Sequence, residues 1–367
     1  MFFIIVFGVW TLMHVYVAQR LLSSVPSKTK QVRYCITALF VFMWPSLFLS
    51  RLFELWAPPA VARVLDVASS DWLGILFLVF ITLLAVDVVT AFGVLLKSIV
   101  IPARRIALAA GLLLSVVALV QGMRAPTVQQ YEVKVAQLPR DLDGTTVVLA
   151  SDFHVGTVLG KEWLASRVGE IQQLHPELVI LAGDMVEGHG VPAEGIAAEF
   201  GKLSAPLGVW AVNGNHERYG ATTSLLAGVG IHVLKDEWKD VRPGLVIAGV
   251  DDLSEHNRGT ASPAERVRKS LTGIKEGSSV LYVSHSPALP EIAAEMHAGL
   301  MVSGHTHNGQ IWPFNYVVKM VFPKIHGQYE VNGMPLIVCG GTGTWGPRMR
   351  LWSRGEIVRI VLRSPSI

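Results

Sequence analysis

The stretch Thr145-Thr146-Val147-Val148-Leu149-Ala150-Ser151-Asp152-Phe153-His154 is an apolar run that breaks off onto two chemically active side chains. Such a run, bounded by polar residues, reads as a buried strand. The pattern recurs. Leu178-Val179-Ile180-Leu181-Ala182-Gly183 leads into Asp184, and Val209-Trp210-Ala211-Val212-Asn213-Gly214 leads into Asn215-His216-Glu217. Val280-Leu281-Tyr282-Val283-Ser284 leads into His285, and Leu300-Met301-Val302-Ser303-Gly304 into His305-Thr306-His307. Further strands are expected at Leu245–Val250, Leu336–Cys339 and Ile357–Leu362, with helices at Lys161–Leu174, Pro263–Leu271 and Leu289–His297. Short apolar runs alternating with helices predict an α/β domain. In open α/β sheets, ligands bind at the C-terminal ends of the strands, where these Asp, Asn and His residues fall.

In extended backbone, residues i and i+2 point the same way. Asp152 and His154 are therefore expected to grip one ion together, and His305 and His307 to serve one ion each. Gly183, Gly214 and Gly304 let the chain turn sharply and pass close to a metal. One Asp-x-His motif carries no weight, but five such elements in order are hard to explain without metal, because carboxylates gathered without cations raise one another's pKa. The set offers nitrogen and oxygen and no thiolate, which disfavours structural zinc and iron–sulfur and suits Mn, Fe, Zn, Ni or Co. Asp152, His154, Asp184, Asn215, His285, His305 and His307 are too many for one tetrahedral ion; they suit two divalent ions about 3.5–4 Å apart sharing a carboxylate. His14, His175, His189, His232, His256, His297 and His326 lack a ligand-type neighbour after a strand and read as ordinary surface or core residues.

Asp152-Phe153-His154, Gly183-Asp184, Gly214-Asn215-His216-Glu217, His285 and Gly304-His305-Thr306-His307 together resemble the calcineurin-like metallophosphoesterase signature, across roughly residues 131–363. Leu138–Asp152, Gly304–Gln310, Gly341–Gly346 and Gly355–Ile357 resemble a bacterial membrane-associated subgroup, similar to UDP-2,3-diacylglucosamine hydrolases. The resemblance implies a four-layer α/β/β/α sandwich. It also implies that Asp152, His154, Asp184 and His307 hold one metal, and Asp184, Asn215, His285 and His305 the other. Two departures stand out: Glu187, where the second motif usually ends in Asp, and Asn308, where Gly is frequent. Asn tolerates φ > 0, so that turn is expected to survive. Two such ions lower the pKa of a water from about 15.7 to about 7 and neutralise phosphoryl oxygens during in-line displacement. His216 follows a ligand without binding metal itself, and is the expected general acid to the leaving oxygen or stabiliser of the phosphoryl oxygens.

The rest of the chain is of another kind. The 367 residues are 51% hydrophobic and 16% charged, against about 25% charged in soluble domains; a wholly soluble enzyme does not fit. Residues 1–125 carry 10 Lys/Arg and 4 Asp/Glu, whereas residues 126–367 carry 21 and 24. The larger part is not basic, so no nucleic-acid partner is expected. Two cysteines exclude a disulfide framework, and Cys35 and Cys339 both read as buried, inert thiols.

Apolar runs at Phe2–Ala18, Tyr34–Leu49, Trp72–Leu96 and Ile106–Met123 predict a four-helix transmembrane region over residues 1–123. The second is short unless it extends through Pro45 toward Leu55. Nothing basic precedes Phe2, so an uncleaved anchor is expected rather than a signal peptide. Residues 124–130 read as a polar linker and 131–367 as the catalytic domain. Arg20, Lys28, Lys30 and Arg33 in the first loop and Lys97, Arg104 and Arg105 in the third exceed Arg51 and Arg63 in the second, which Glu54, Asp66 and Asp71 offset. The positive-inside rule then predicts a multi-pass protein of the cell membrane with an extracytoplasmic catalytic domain. Asp87, inside the third run, is expected to be protonated or hydrogen-bonded between helices, with His14 as a candidate partner.

These readings predict a membrane-anchored binuclear phosphoesterase that cleaves a phosphodiester or pyrophosphate bond, its partners a lipid bilayer and a lipid-linked phosphorylated substrate. The alternatives are a phosphomonoesterase or nucleotide hydrolase merely localised by its anchor, and a binding module on the same fold. Residues Ile311–Ile325 hold four aromatics, two lysines and bracketing prolines. They predict a partly exposed apolar patch at the membrane surface beside the metals.

Overall fold

In the computed structural model, which describes residues 2–187, 193–217, 221–253 and 261–365, the N-terminal runs form α1 (Phe2–Ser24), α2 (Lys30–Met43), α3 (Ser46–Trp56), α4 (Pro59–Val89) and α5 (Val100–Gly122). With Gly346–Leu351 they make one of two compact units. Ile4–Ser24, Pro59–Val89 and Val100–Gly122 are long and apolar enough to cross a membrane. The second run is broken between α2 and α3, because proline lacks an N–H and its ring crowds the preceding turn. Trp44 and Pro45 both keep right-handed helical angles, so the helical path continues through the break.

α4 begins at Pro59, well before the expected Trp72; proline suits a first helical position. The supposed second loop is therefore largely helix, with Asp66 and Asp71 buried inside it. Arg348 Nη2 and N donate to the Asp71 carboxylate at 2.6 and 2.9 Å. Asp87, fully buried, is partnered differently from the expectation. It accepts from Arg104 Nε at 2.8 Å and the Tyr16 hydroxyl at 2.7 Å, and pairs with Arg20 at 2.5 Å. His14 instead accepts from Trp72 Nε1 at 2.9 Å. A buried carboxylate requires such partners, and two arginines counted as loop charge supply them. Cys35 is exposed, against expectation, while Cys339 is buried.

The other unit contains β1 (Thr127–Lys134), β2 (Thr146–Ala150), α6 (Lys161–Gln173), β3 (Leu178–Ala182), α7 (Ala193–Phe200), β4 (Val209–Val212), α8 (Ala221–Gly228), β5 (His232–Leu234), β6 (Glu237–Arg242), β7 (Leu245–Gly249), α9 (Pro263–Leu271), β8 (Ser279–Val283), α10 (Pro290–Glu295), β9 (Leu300–Ser303), α11 (Asn315–Val321), β10 (Gly327–Val331), β11 (Met334–Val338) and β12 (Glu356–Arg363). These strands form two mixed sheets, ordered β1-β12-β2-β3-β4-β5 and β10-β11-β9-β8-β7-β6. β2, β3 and β4 are parallel, as are β7, β8 and β9.

The period-2 alternation of side chains sorts each central strand. Val147, Leu149, Leu178 and Ile180 share one buried cluster with Ile247, Leu281, Val283 and Val302 of the other sheet. Val148, Val179 and Leu181 face the opposite way and pack with Leu164, Val168 and Ile171 of α6 and Phe200 of α7. On the second sheet Ala248, Tyr282 and Met301 pack with Val267 and Leu271 of α9 and Ala293 of α10. Both faces of these strands are covered, which is why they read as unbroken apolar runs. The predicted linker is mostly strand: β1 starts at Thr127 and pairs in parallel with β12, Thr127 opposite Glu356. Its alternating exposure explains why it read as polar.

Candidate metal centre

β2, β3, β4, β8 and β9 end on the residues singled out above, and the structure brings those residues together. Asp152, His154 and His307 place one ligand atom each within 4.8 Å of one another, as do Asp184, His285 and His305. In the first group His154 Nε2 lies 3.1 Å from His307 Nε2, and His307 Nε2 lies 3.4 Å from Asp152 Oδ1. In the second, His285 Nε2 faces His305 Nδ1 at 3.0 Å, Asn215 Oδ1 at 3.2 Å and Asp184 Oδ2 at 3.2 Å. The same Asp184 Oδ2 is 3.7 Å from His154 Nε2 in the first. His285 Nδ1 donates to Ala182 O at 2.8 Å, which turns the Nε2 lone pair into the cluster. Imidazole nitrogens, a carboxylate oxygen and an amide oxygen thus meet with acceptor sides together, an arrangement that a cation satisfies and other acceptors do not. The residues fit a metal.

The backbone reaches this geometry by a route the sequence did not indicate. Asp152 and His154 are not extended. Their φ values are +54° and +46°, and Asp184, His305 and His307 are also left-handed at +51°, +73° and +49°. For non-glycine residues such angles cost about 1–3 kcal/mol each and cluster at functional sites. Asn308 adopts φ +50°, the turn expected of it. Gly214 is needed for close approach: a Cβ there would collide with Asp184 Oδ1 and lie 2.5 Å from Asp184 N.

Two acidic residues have roles that their motifs alone did not disclose. Glu187 Oε2 accepts from His154 Nδ1 at 2.6 Å and lies 3.2 Å from His216 Nδ1. It therefore fixes the tautomer of one candidate ligand and touches the candidate acid. The longer side chain in place of Asp still reaches both rings. Burial pushes its carboxyl up, but the hydrogen bonds to His154 and His216 prevail and hold it well below the usual range. Glu217, fully buried, accepts from Asp184 N, Val186 N and Gly214 N at 2.9, 3.0 and 2.7 Å. It pins the turn after β3 to the turn after β4. Burial and the neighbouring Asp184 raise its pKa to about 7.

His216 stands at the edge of both clusters. Its backbone N donates to Asp184 Oδ1 at 2.9 Å, and its ring packs edge-on to His154 with centroids 4.7 Å apart. Burial disfavours its charged form, yet the Glu187 hydrogen bond and the Asp184 charge raise its pKa to about 9. The imidazolium is the form a proton donor needs. Burial lowers the His285 pKa but Asp184 raises it to about 10, so a bound cation would stand in place of the Nε2 proton; burial and the His285 charge push His305 down to about 3.

Of the histidines set aside, His326 proves to be a structural hydrogen-bonder, 2.8 Å from the buried Glu356, and His189 and His256 lie outside the described residues. In Ile311–Ile325, α11 leaves Tyr316, Val317, Met320 and Val321 exposed, Trp312 37% exposed and Phe322 half-buried, with the Phe322 ring 5.1 Å from that of His305.

The family described as calcineurin-like phosphoesterase matches residues 145–309. An uncharacterized metallophosphoesterase of Aquifex aeolicus is 30% identical over 241 residues, 64% of this chain and 91% of that one. A zebrafish (Danio rerio) protein named transmembrane protein with metallophosphoesterase domain is 31% identical over 263 residues, 68% of this chain and 60% of that one. A bovine (Bos taurus) protein of the same name is 29% identical over 273 residues, again 68% and 60%. The chain therefore spans about 60% of the length of these transmembrane relatives. It belongs to the calcineurin-like metallophosphoesterase family.

Proposed function

We propose that the chain is a membrane-anchored, binuclear metal-dependent hydrolase that cleaves a phosphodiester or pyrophosphate bond of a lipid-linked substrate outside the cytoplasm. The observation that carries the binuclear reading is Asp184 Oδ2, 3.7 Å from His154 Nε2 and 3.2 Å from His285 Nε2. On this reading Asp152, His154, Asp184 and His307 hold one divalent ion, Asp184, Asn215, His285 and His305 hold the second, and Asp184 bridges. His216, held by Glu187, gives its proton to the leaving oxygen. The shared inter-sheet cluster and the helices on both outer faces support a four-layer α/β/β/α domain after residue 130. α2 and α3 act as one kinked span, which completes four crossings over residues 1–123 and leaves both ends outside.

The lipid-linked substrate rests on α11. Exposed Tyr, Val and Met side chains with Lys319 match the composition of an interfacial helix, and Phe322 just beyond it carries that apolar face to His305. This suits the UDP-2,3-diacylglucosamine hydrolase-like subgroup that the motifs resemble.

The test is full-length protein with Mn²⁺ against diester, monoester and lipid-pyrophosphate substrates. Replacing Trp312 and Phe322 by Ser is expected to cut turnover of lipid phosphates by about tenfold while sparing a small diester. Equal loss on both, or a preference for soluble nucleotides in the unsubstituted protein, favours the merely localised nucleotide hydrolase. For topology, a reporter active only outside the cytoplasm and fused at Ile367 is expected to be active. Activity only of a cytoplasmic reporter reverses the orientation.

A further inference from the structure

The Gly304–Gln310 motif continues past the candidate ligands, and its last residue has no part in the site as described so far. Gln310 is buried at φ +51°, ψ −53°, the centre of a tight turn in which Ile311 N donates to Gly309 O. This is the strained form of the three-residue turn. The turn aims the Gln310 amide at Trp345: Nε2 donates to Trp345 O at 3.0 Å, and Oε1 accepts from Trp345 N at 2.9 Å. A primary amide that closes both bonds on one residue's backbone fixes that residue's position and direction.

The segment leading to Trp345 is fixed too. Gly340 N donates to Glu356 Oε1 at 2.6 Å, Thr342 N to Ser151 O at 2.8 Å and Gly343 N to Asp152 O at 2.9 Å. The loop is thereby stitched to the backbone of a candidate ligand. At its end the Trp345 indole stays 50% exposed, with its ring centroid 6.1 Å from that of His216. A single exposed aromatic is ordinary at a protein surface; this one is set apart by being held on both backbone groups by Gln310 with its ring beside His216. Its neighbour is the residue assigned to the leaving oxygen.

We propose that Trp345 determines leaving-group specificity, its indole receiving the flat apolar face of a ring carried by the leaving oxygen, and that Gln310 is the positioning residue that holds it there. This rests on the reading of His216 as facing the leaving group. The shared chemistry is a ring face, sugar or aryl, as opposed to a plain alkyl chain.

The test is binding, which does not depend on turnover. Phenylphosphonate, glucose 1-phosphate and methylphosphonate are titrated calorimetrically into the Mn²⁺-loaded full-length protein. The expectation is that phenylphosphonate or glucose 1-phosphate, or both, binds about tenfold more tightly than methylphosphonate, and which of them does so identifies the ring. Trp345→Ala should abolish the preference and Trp345→Phe retain it. Gln310→Ala should abolish it without changing Mn²⁺ content, and Gln310→Glu, which keeps the acceptor for Trp345 N, should retain part of it. No ring preference in the unsubstituted protein, or a preference that survives Trp345→Ala, overturns the proposal. Loss of Mn²⁺ in Gln310→Ala shows that Gln310 supports the metal motif and overturns its positioning role. Ring-selective binding without hydrolysis of any diester would sink the hydrolase reading and leave the platform standing.

Discussion

Asp184→Asn is expected to release both metal ions together. The substitution keeps an oxygen to accept from His216 N, so the turn after β3 can persist, but it removes the carboxylate charge that lies between His154 of one cluster and His285 of the other. Each half then keeps mainly neutral donors, and the affinity for a divalent ion falls steeply as ligand charge is lost. Metal analysis after gel filtration, with circular dichroism to show that the fold is kept, reads the result. Two ions retained at the affinity of the unsubstituted protein would remove Asp184 from the bridging position. Loss of one ion would assign it to a single half.

His216→Ala should leave both ions in place and lower kcat by roughly 10²–10⁴, the share usual for a general acid. The loss should shrink for substrates with good leaving groups such as nitrophenol, which need no proton; a uniform loss would assign His216 to the phosphoryl oxygens. The pH profile supplies a second readout. A group whose folded pKa is raised is protonated, and acts as an acid, up to that pKa, and its contribution is lost as pH rises through it. Glu187 and Asp184 hold His216 up at about 9, so activity should fall on the alkaline side. Glu187→Gln removes one of those charges, and the alkaline limb should move to lower pH. A limb that stays put in both variants belongs to another group.

The strands that sequence reading located and those it missed divide by position. β2, β3, β4, β7, β8 and β9 are buried throughout, and their continuous aliphatic runs could hardly be read otherwise. β1, β5, β6 and β10 were missed, and they are the four edges of the two sheets. An edge strand faces water, carries residues such as Gln129, Lys239 and Glu330, and resembles a loop in composition. Pattern reading finds burial, and these strands are only half buried. The candidate site was legible through its residue types, because His and Asp after apolar strands have few other uses. The reason first given for the Asp152–His154 pairing was wrong, since the left-handed angles that aim both side chains leave no trace in a one-dimensional pattern. Glu187 and Glu217 belong to the same class. All their partners but Gly214 lie about thirty positions away, and only folding shows that one carboxylate holds two imidazoles and the other three amides.

The parallel pairing of β1 with β12 also sets the order of events during synthesis. Thr127 and Gly355 are hydrogen-bonded across 228 positions of chain, so β1, first to emerge after α5, has no partner until β12 is made. At about 5–20 residues per second that wait is roughly ten to fifty seconds. β2 is in the same position on one side, because β12 lies between it and β1. During that interval the strand that leads into Asp152 presents an open edge. A nascent chain stalled just before Glu356 would therefore hold every candidate ligand yet remain an aggregation-prone intermediate, and a ribosome-bound series truncated on either side of Glu356 should change abruptly from protease-sensitive to resistant.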